Sequence, residues 1–398
     1  MSFRRGFSVL FITALLCAGC SQSDIKSTDL VAAQEAYNSQ NYAEALTLLE
    51  PIANDGNAAA QLLIGNMYAK GQGVDPDANT AAKWITEAAE SRLPEAQYTI
   101  GMAHIIGQGV PQDYKEAYAW MRKSAEQGYS KAQFQTGLML ESGSGAEKNM
   151  EEAIRFMEQA AEQGHLEAQN TLGMIYMSGQ EVPVDTGKGL RWLNKAADGG
   201  DKRAQYIVGY KLLQDAAMPS DTARGLALLE KSAQQGYDKS QLVVGFLYFH
   251  GKDVEKDTAK AANLFYLAAE QGNEQAAERY VRMAETGSAA DIWKLGRLYA
   301  GGVGLKQDDV MASQLYLIAA ESGHGPAQYA LGRAYGTGRG VEQDYIAAHM
   351  WLNLSAASGN KEAIKDRKIY SKLMTPEQIA QAQTNARNWT ERQANQSE

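Results

Sequence analysis

The stretch AQYALGRAYGTGRGVEQDY, residues 327 to 345, sets Gly336, Gly338 and Gly340 within five positions. Glycines this dense are what a phosphate-cradling loop uses, so the first question is whether the segment binds a nucleotide. Copies elsewhere in the chain answer it. AQLLIG, AQYTIG, AQFQTG, AQNTLG, AQYIVG, SQLVVG and AQYALG end at Gly65, Gly101, Gly137, Gly173, Gly209, Gly245 and Gly332, and the more divergent DIWKLG ends at Gly296. Successive copies lie 36 residues apart, with one step of 51. Such a period marks an array of units, none of which can bury its apolar face alone.

Each copy carries the same furniture around this pivot glycine. Nineteen residues on stands a large apolar side chain: Trp84, Trp120, Phe156, Trp192, Leu228, Leu264, Leu315 or Trp351. Small pairs such as Ala88-Ala89 and Ala160-Ala161 follow four and five residues later. Ala96, Ile100 and His104 illustrate an apolar stripe at i, i+4 and i+8. Residues four apart stack on one helical face, so each unit reads as two helices, A and B, joined by a turn. The glycines and alanine pairs leave room for close helix approach, with Trp on helix B expected to fill the gap between units.

The connector is equally regular. Gly-x-Gly stands six and eight residues after the pivot at 71/73, 107/109, 143/145, 302/304 and 338/340. Twelve residues after it comes Asp77, Asp113, Asn149, Asp185, Asp221, Asp257, Asp308 or Asp344. Glycine ends helix A at positive φ, and Asp or Asn caps helix B. A phosphate loop needs a preceding strand, and no period-2 apolar stretch is present. The glycines are connectors. The copy at Gly209 lacks both of them (LQDAAMPSD), which predicts a different loop there.

Together, A-Q-x-x-x-G-x-x-Y, G-x-G-V-x-x-D and A-x-x-W-x-x-x-A-A-x-x-G resemble the Sel-one-like repeat (SLR) family, which belongs with tetratricopeptide-type solenoids. The resemblance covers residues 58 to about 360. It implies an all-α fold: a superhelical α-solenoid of antiparallel helix pairs with 36-residue repeats. The expected organisation is a signal peptide at 1–19, a lipidated tether at 20–28 and a tetratricopeptide-like opening unit at 29–57. Six repeats follow at 58–272, one inserted helix at 273–287, two repeats at 288–360, and C-terminal capping helices and tail at 361–398. At the insertion a change of superhelical direction is expected, splitting the array into a longer front and a shorter back. Thr375 to Gln378 read as a capping box opening the last helix.

Arg4 and Arg5 precede an apolar run, Phe7 to Leu16, too short to span a bilayer as a mature helix. CAGC then ends at Cys20, resembling the lipobox of bacterial lipoproteins, although Cys17 stands where leucine is usual. The resemblance implies lipidation at Cys20 and, with Ser21 behind it, an outer-membrane destination on the periplasmic face. Cys17 and Cys20 are the only cysteines, so the mature chain holds no disulfide. The formal charge is −9, and no basic block offsets it, which argues against nucleic acid as a partner.

In tetratricopeptide-like solenoids the groove is lined by helix A, at positions mapping to three before and one after the pivot. Here these include Tyr98, Met102, Phe134, Leu138, Met174, Tyr206, Tyr210, Phe246, Trp293, Arg297, Tyr329 and Arg333. A solvated face should be polar, and this one is aromatic and apolar, which marks a binding groove. The alternative is that adjacent A helices bury these side chains against one another. Trp293, Arg297, Tyr329 and Arg333 alternate ring and cation as ligand contacts often do. The repeated glutamine at positions such as Gln97 and Gln328 is expected to bond the backbone of the next connector.

No cofactor is expected, and catalytic or metal motifs are poor. The five histidines are scattered, with His104 in a stripe position and His165 and His324 between units. Ser23 and Lys26 match Ser-x-x-Lys, but they lie in the tether without the companion motifs of penicillin-binding enzymes. The expectation is a lipid-anchored periplasmic adaptor, not an enzyme, holding a protein or peptide of the cell envelope. The alternative is a lipoprotein that binds peptidoglycan or polysaccharide through its rings.

Overall fold

The computed structural model describes residues 24–179, 181–215 and 218–396. The expected signal peptide and Cys20 lie outside the described residues. Among those described there are 21 helices and no strand, in an all-α solenoid of consecutive pairs. The chain divides into two compact units, one ending at Gly199 and the other beginning at Gly200.

The first unit holds α1 (Asp24–Asn38), α2 (Tyr42–Asn54), α3 (Ala58–Lys70), α4 (Ala78–Glu90) and α5 (Pro94–Ile106). It continues with α6 (Tyr114–Glu126), α7 (Ser130–Ser142), α8 (Met150–Glu162), α9 (Leu166–Ser178) and α10 (Thr186–Asp198). Residues 24 to 28, expected in the tether, instead belong to α1. No proline or glycine stands between Asp24 and Asn38 to stop the helix, which pairs with α2.

The second unit holds α11 (Lys202–Gln214), α12 (Pro219–Gln234), α13 (Asp238–His250), α14 (Thr258–Ala269) and α15 (Glu274–Ala284). After these come α16 (Ala289–Gly301), α17 (Asp309–Glu321), α18 (Gly325–Thr337) and α19 (Tyr345–Ala357), then α20 (Lys361–Ser371) and α21 (Pro376–Gln396). The inserted segment forms the single helix α15. It does not mark the division between compact units. Tyr280 on α15 is fully buried and packs its ring 5.3 Å from that of Tyr266 on α14, which binds the insertion into the core of the second unit.

Each of the eight repeat units is closed at its pivot glycine. A β-carbon added to Gly332 would lie 2.8 Å from Leu352 Cγ and 3.2 Å from the Ala348 carbonyl. The side chain that fills this contact stands twenty residues after the pivot, one beyond the expected tryptophan position. Ile85, Met121, Met157, Leu193, Leu229, Phe265, Tyr316 and Leu352 all occupy it, and all are buried. Their chemical types differ, so no repeated letter advertises the position. Trp84, Trp120 and Trp192 are only half-buried.

The connectors follow from backbone chemistry. Gly338 ends α18 in the left-handed conformation at φ 71°. Gly340 also has positive φ, and a β-carbon there would sit 1.9 Å from the Asp309 carbonyl oxygen. Asp344 then caps α19 through Ile346 and Ala347 amides, while its own N–H donates to the Tyr335 carbonyl at 3.0 Å. Where the second glycine is missing the turn persists, with Glu181 at φ 67° and Asp253 at φ 62°. Asp221 is the exception among the expected caps. Pro219, well suited to a first helical turn, starts α12 earlier, so Asp221 falls inside that turn and Met218 occupies the cap position.

The repeated glutamine bonds backward, not to the next connector. Gln97 Nε2 donates to the Ala89 carbonyl at 3.0 Å, and Gln133, Gln169, Gln241 and Gln328 make the same bond eight residues back. Helical side chains lean toward the N-terminus, which carries the amide onto the C-terminal carbonyls of the preceding helix B. Its oxygen then accepts from a later glutamine, as Gln97 does from Gln127 at 2.7 Å. At the C-terminal end, Thr375 and Gln378 form the expected reciprocal capping box, and Trp389 of α21 meets Trp351 edge-on at 6.0 Å.

Candidate binding site

The helix-A face differs along the chain. In the first unit Tyr98 and Phe134 are half-buried, and each ring packs on the residue that opens the following helix A. Tyr98 meets Tyr129 at 5.5 Å and Phe134 meets His165 at 4.9 Å. In the second unit Tyr206 meets Tyr237 at 5.4 Å, and Trp293 meets His324 at 5.2 Å. A ring at the helix-opening position, where Asn, Asp or Ser would be ordinary, was the sequence signal for this contact. His165 and His324 also accept a backbone N–H as caps.

Met102 and Leu138 are half-buried against the core, whereas Met174 and Tyr210 are exposed. Phe246 is half-buried, edge-on to Phe265 at 5.2 Å, with Arg279 above its face. In the front of the array the predicted rings therefore lie mainly against helix-opening residues and core side chains, and not against one another across adjacent A helices. His104 is half-buried at the end of its stripe, with Nδ1 3.2 Å from the Pro111 carbonyl.

The four positions of the last two repeats are brought together. Trp293, Arg297, Tyr329 and Arg333 line a cavity of about 610 Å³ between α16 and α18, with Tyr316 of α17 among its lining residues. Tyr316 is 8% exposed, and burial raises its hydroxyl pKa, so it presents a neutral phenol. Arg297 lies over the Trp293 ring at 5.3 Å, donates to Tyr266 Oη at 2.9 Å and pairs with Glu270 at 3.2 Å. Arg333 lies near the Tyr329 ring at 5.9 Å, and its Nε is 3.7 Å from Asp366. Tyr329 in turn donates to Asp366 at 3.1 Å.

Among the lining residues that escaped the sequence reading, Arg339 and Tyr316 matter most. Arg339 stands between the connector glycines, where other copies carry Gln72, Gln108, Ser144 and Val303. Its Nε is 2.8 Å from the Asp309 carboxylate, and a second nitrogen donates to the Ala300 carbonyl at 2.7 Å. Tyr316 stands at the unadvertised pivot-facing position. The space beside Gly336, by contrast, is not open: the Tyr370 ring fills it, with Cζ 2.2 Å from where a β-carbon would be.

This arrangement offers aromatic walls and guanidinium groups, the chemistry of molecular recognition. Among the described residues no cluster of three or more His, Cys, Asp or Glu is placed to hold a metal ion. Among them, too, no helix is long and apolar enough to cross a membrane.

Paired antiparallel helices of 36-residue period, joined by glycine connectors, define a repeat-solenoid protein. Eight segments match the Sel1 repeat: 58–92, 94–129, 130–165, 166–201, 202–237, 238–273, 289–324 and 325–360. The chain belongs to the Sel1 repeat family. It is similar to c5321, a protective antigen of uropathogenic Escherichia coli with an SLR fold, at 30% identity over 92% of this chain and 84% of that one, with a TM-score of 0.57. It is also similar to a Sel1 repeat protein from Oxalobacter formigenes, at 31% identity over 60% of this chain and 96% of that one, with a TM-score of 0.54. Comparison with curated proteins gives no match. A Sel1 repeat solenoid is a protein–protein interaction scaffold, and the fold is typically non-catalytic.

Proposed function

We propose that this chain is a lipid-anchored scaffold of the bacterial envelope that seats a segment of a partner protein in the cavity between α16 and α18. The observation that carries the reading is the convergence of Trp293, Arg297, Tyr329 and Arg333 on one cavity. Trp293 shares with Tyr98, Phe134 and Tyr206 the contact to the helix-opening residue, but it also lines this cavity with the guanidinium groups of Arg297 and Arg333. The anchor is Cys20, on the strength of the lipobox resemblance, with the protein on the periplasmic face of the outer membrane.

Affinity capture from detergent-solubilised membranes tests it. The wild type should retain a defined envelope protein that a Trp293→Ala/Tyr329→Ala variant loses, with helical content unchanged by circular dichroism. A partner retained equally by both would contradict the site. Binding to purified peptidoglycan that depends on the two rings, without a protein partner, would favour glycan recognition instead. Cys20→Ser should release the protein from the membrane fraction, and persistent attachment would contradict the anchor.

A further inference from the structure

The cavity carries a charge pattern that narrows the partner's chemistry. Arg297 and Arg333 occupy the same position, one after the pivot, in consecutive repeats, and both line the cavity. The six preceding copies place uncharged Asn66, Met102, Leu138, Met174, Tyr210 and Phe246 there. Arg339 adds a third guanidinium, again where the other Gly-x-Gly connectors have uncharged residues. In a chain of net charge −9, three cations have thus been gathered on one cavity.

They are not equivalent. Arg339 is committed to Asp309 and the Ala300 carbonyl, bracing the wall. Arg297 holds Glu270 and Tyr266 Oη from behind while its side chain stays 49% exposed. Arg333 is the most open: its side chain is 58% exposed, and its ion pair with Asp366 is a long single contact at 3.7 Å. Asp366 is half-buried and is also held by Tyr329, and a 3.7 Å contact to the exposed Arg333 leaves donors of that guanidinium open to an incoming carboxylate. Asp309 is the only carboxylate lining the cavity among the described residues, and Arg339 already holds it.

We infer that the cavity recognises an acidic peptide segment, with a partner carboxylate bound by Arg333, supported by Arg297, and an adjacent apolar side chain set between Trp293 and Tyr329. This deepens the scaffold reading and rests on it. The occupant is a peptide of a partner protein. Charge complementarity selects Asp or Glu, and the indole and phenol beside each guanidinium select an aromatic or aliphatic neighbour.

The test uses the full-length protein in detergent micelles and a phage-displayed library of random octapeptides. Selected peptides should be enriched in Asp or Glu next to an aromatic or aliphatic residue. A fluorescein-labelled selected peptide, followed by anisotropy, should bind about tenfold more weakly once its carboxylates are replaced by amides, the loss expected for one charge-assisted contact. Arg333→Gln should abolish that discrimination. Arg333→Lys should retain part of it, because the charge remains without the planar fork. Trp293→Ala should weaken the acidic and amide peptides alike. Peptides selected without acid enrichment, no selected peptides at all, or discrimination that survives Arg333→Gln overturns the inference. So does ring-dependent binding to purified peptidoglycan in place of peptide. Should membrane capture still depend on Trp293 and Tyr329 while no acid preference emerges, the inference falls and the scaffold reading stands. Should capture fail as well, both fall.

Discussion

Arg339 and Asp309 are joined at 2.8 Å, so a side chain from the connector after α18 pins the first turn of α17. A second Arg339 nitrogen reaches the Ala300 carbonyl near the end of α16, making this residue a brace for the cavity wall. The Arg339 bond holds the Asp309 carboxyl below the usual carboxylate range. A depressed folded pKa stabilises above the unfolded value, near 4, and that contribution disappears as pH falls through the lower folded value. Stability should therefore fall below about pH 4, with a smaller fall in Asp309→Asn. Arg339→Ala should speed hydrogen exchange at the first turn of α17, and unchanged exchange there would contradict the brace.

The pivot contact predicts a size-dependent penalty. Gly332→Ala should destabilise by about 1–3 kcal/mol, because Leu352 must move to admit the methyl group. Adding Leu352→Ala should make the Gly332→Ala substitution itself less costly. A double-mutant cycle in urea measures this coupling directly, and additive losses would argue against a shared contact.

Gln97→Leu keeps the volume and removes both bonds of the glutamine relay. The Ala89 carbonyl keeps the Arg92 N–H at 3.0 Å but loses the Gln97 amide, and a loss of about 0.5–1.5 kcal/mol per bond removed is expected from chemical denaturation. A neutral result would mean that the repeated glutamine serves something other than stability.

Asp253 tests the connector. It takes φ 62° where five other copies carry glycine. Asp253→Gly should relieve that conformation and stabilise the protein by up to about 1 kcal/mol, read as a raised melting temperature.

Alkaline pH should act through the buried tyrosines. Burial pushes the Tyr176 phenol up to about 12, helped by its bond to Glu158, and burial pushes Tyr129 up to about 12 as well. A raised folded pKa contributes stability that is intact below the unfolded value near 10 and is lost as pH rises toward 12. Ultraviolet titration should show these phenols ionising late. Tyr176→Phe, which removes one such group, should lose less stability across that interval than the wild type.

The period, the helix pairing, the connector glycines and most caps were legible because each rests on a residue type repeated at fixed spacing. What the sequence hid was carried by position without constant chemistry. The pivot-facing residue can be Ile, Met, Leu, Phe or Tyr, since only bulk is required against Gly332 and its equivalents. The direction of the glutamine bond depends on how a helical side chain leans, which no repeated letter encodes. Of the candidate site, Trp293, Arg297, Tyr329 and Arg333 could be chosen from their alternation of ring and cation. Arg339 could not, because its connector position assigned it to the loop, and only the fold shows it turning back to Asp309.

The central claim is that a partner protein sits in the cavity between α16 and α18. A photo-crosslinking residue, benzoylphenylalanine, at Thr337 on the cavity rim measures it most directly. Irradiation of intact cells should attach one defined envelope protein through Thr337→benzoylphenylalanine, and Arg333→Gln in the same chain should reduce the yield. The same probe at Lys123, outside the cavity lining, should not capture that protein. Equal capture from both positions, or no protein captured at Thr337, would contradict the account.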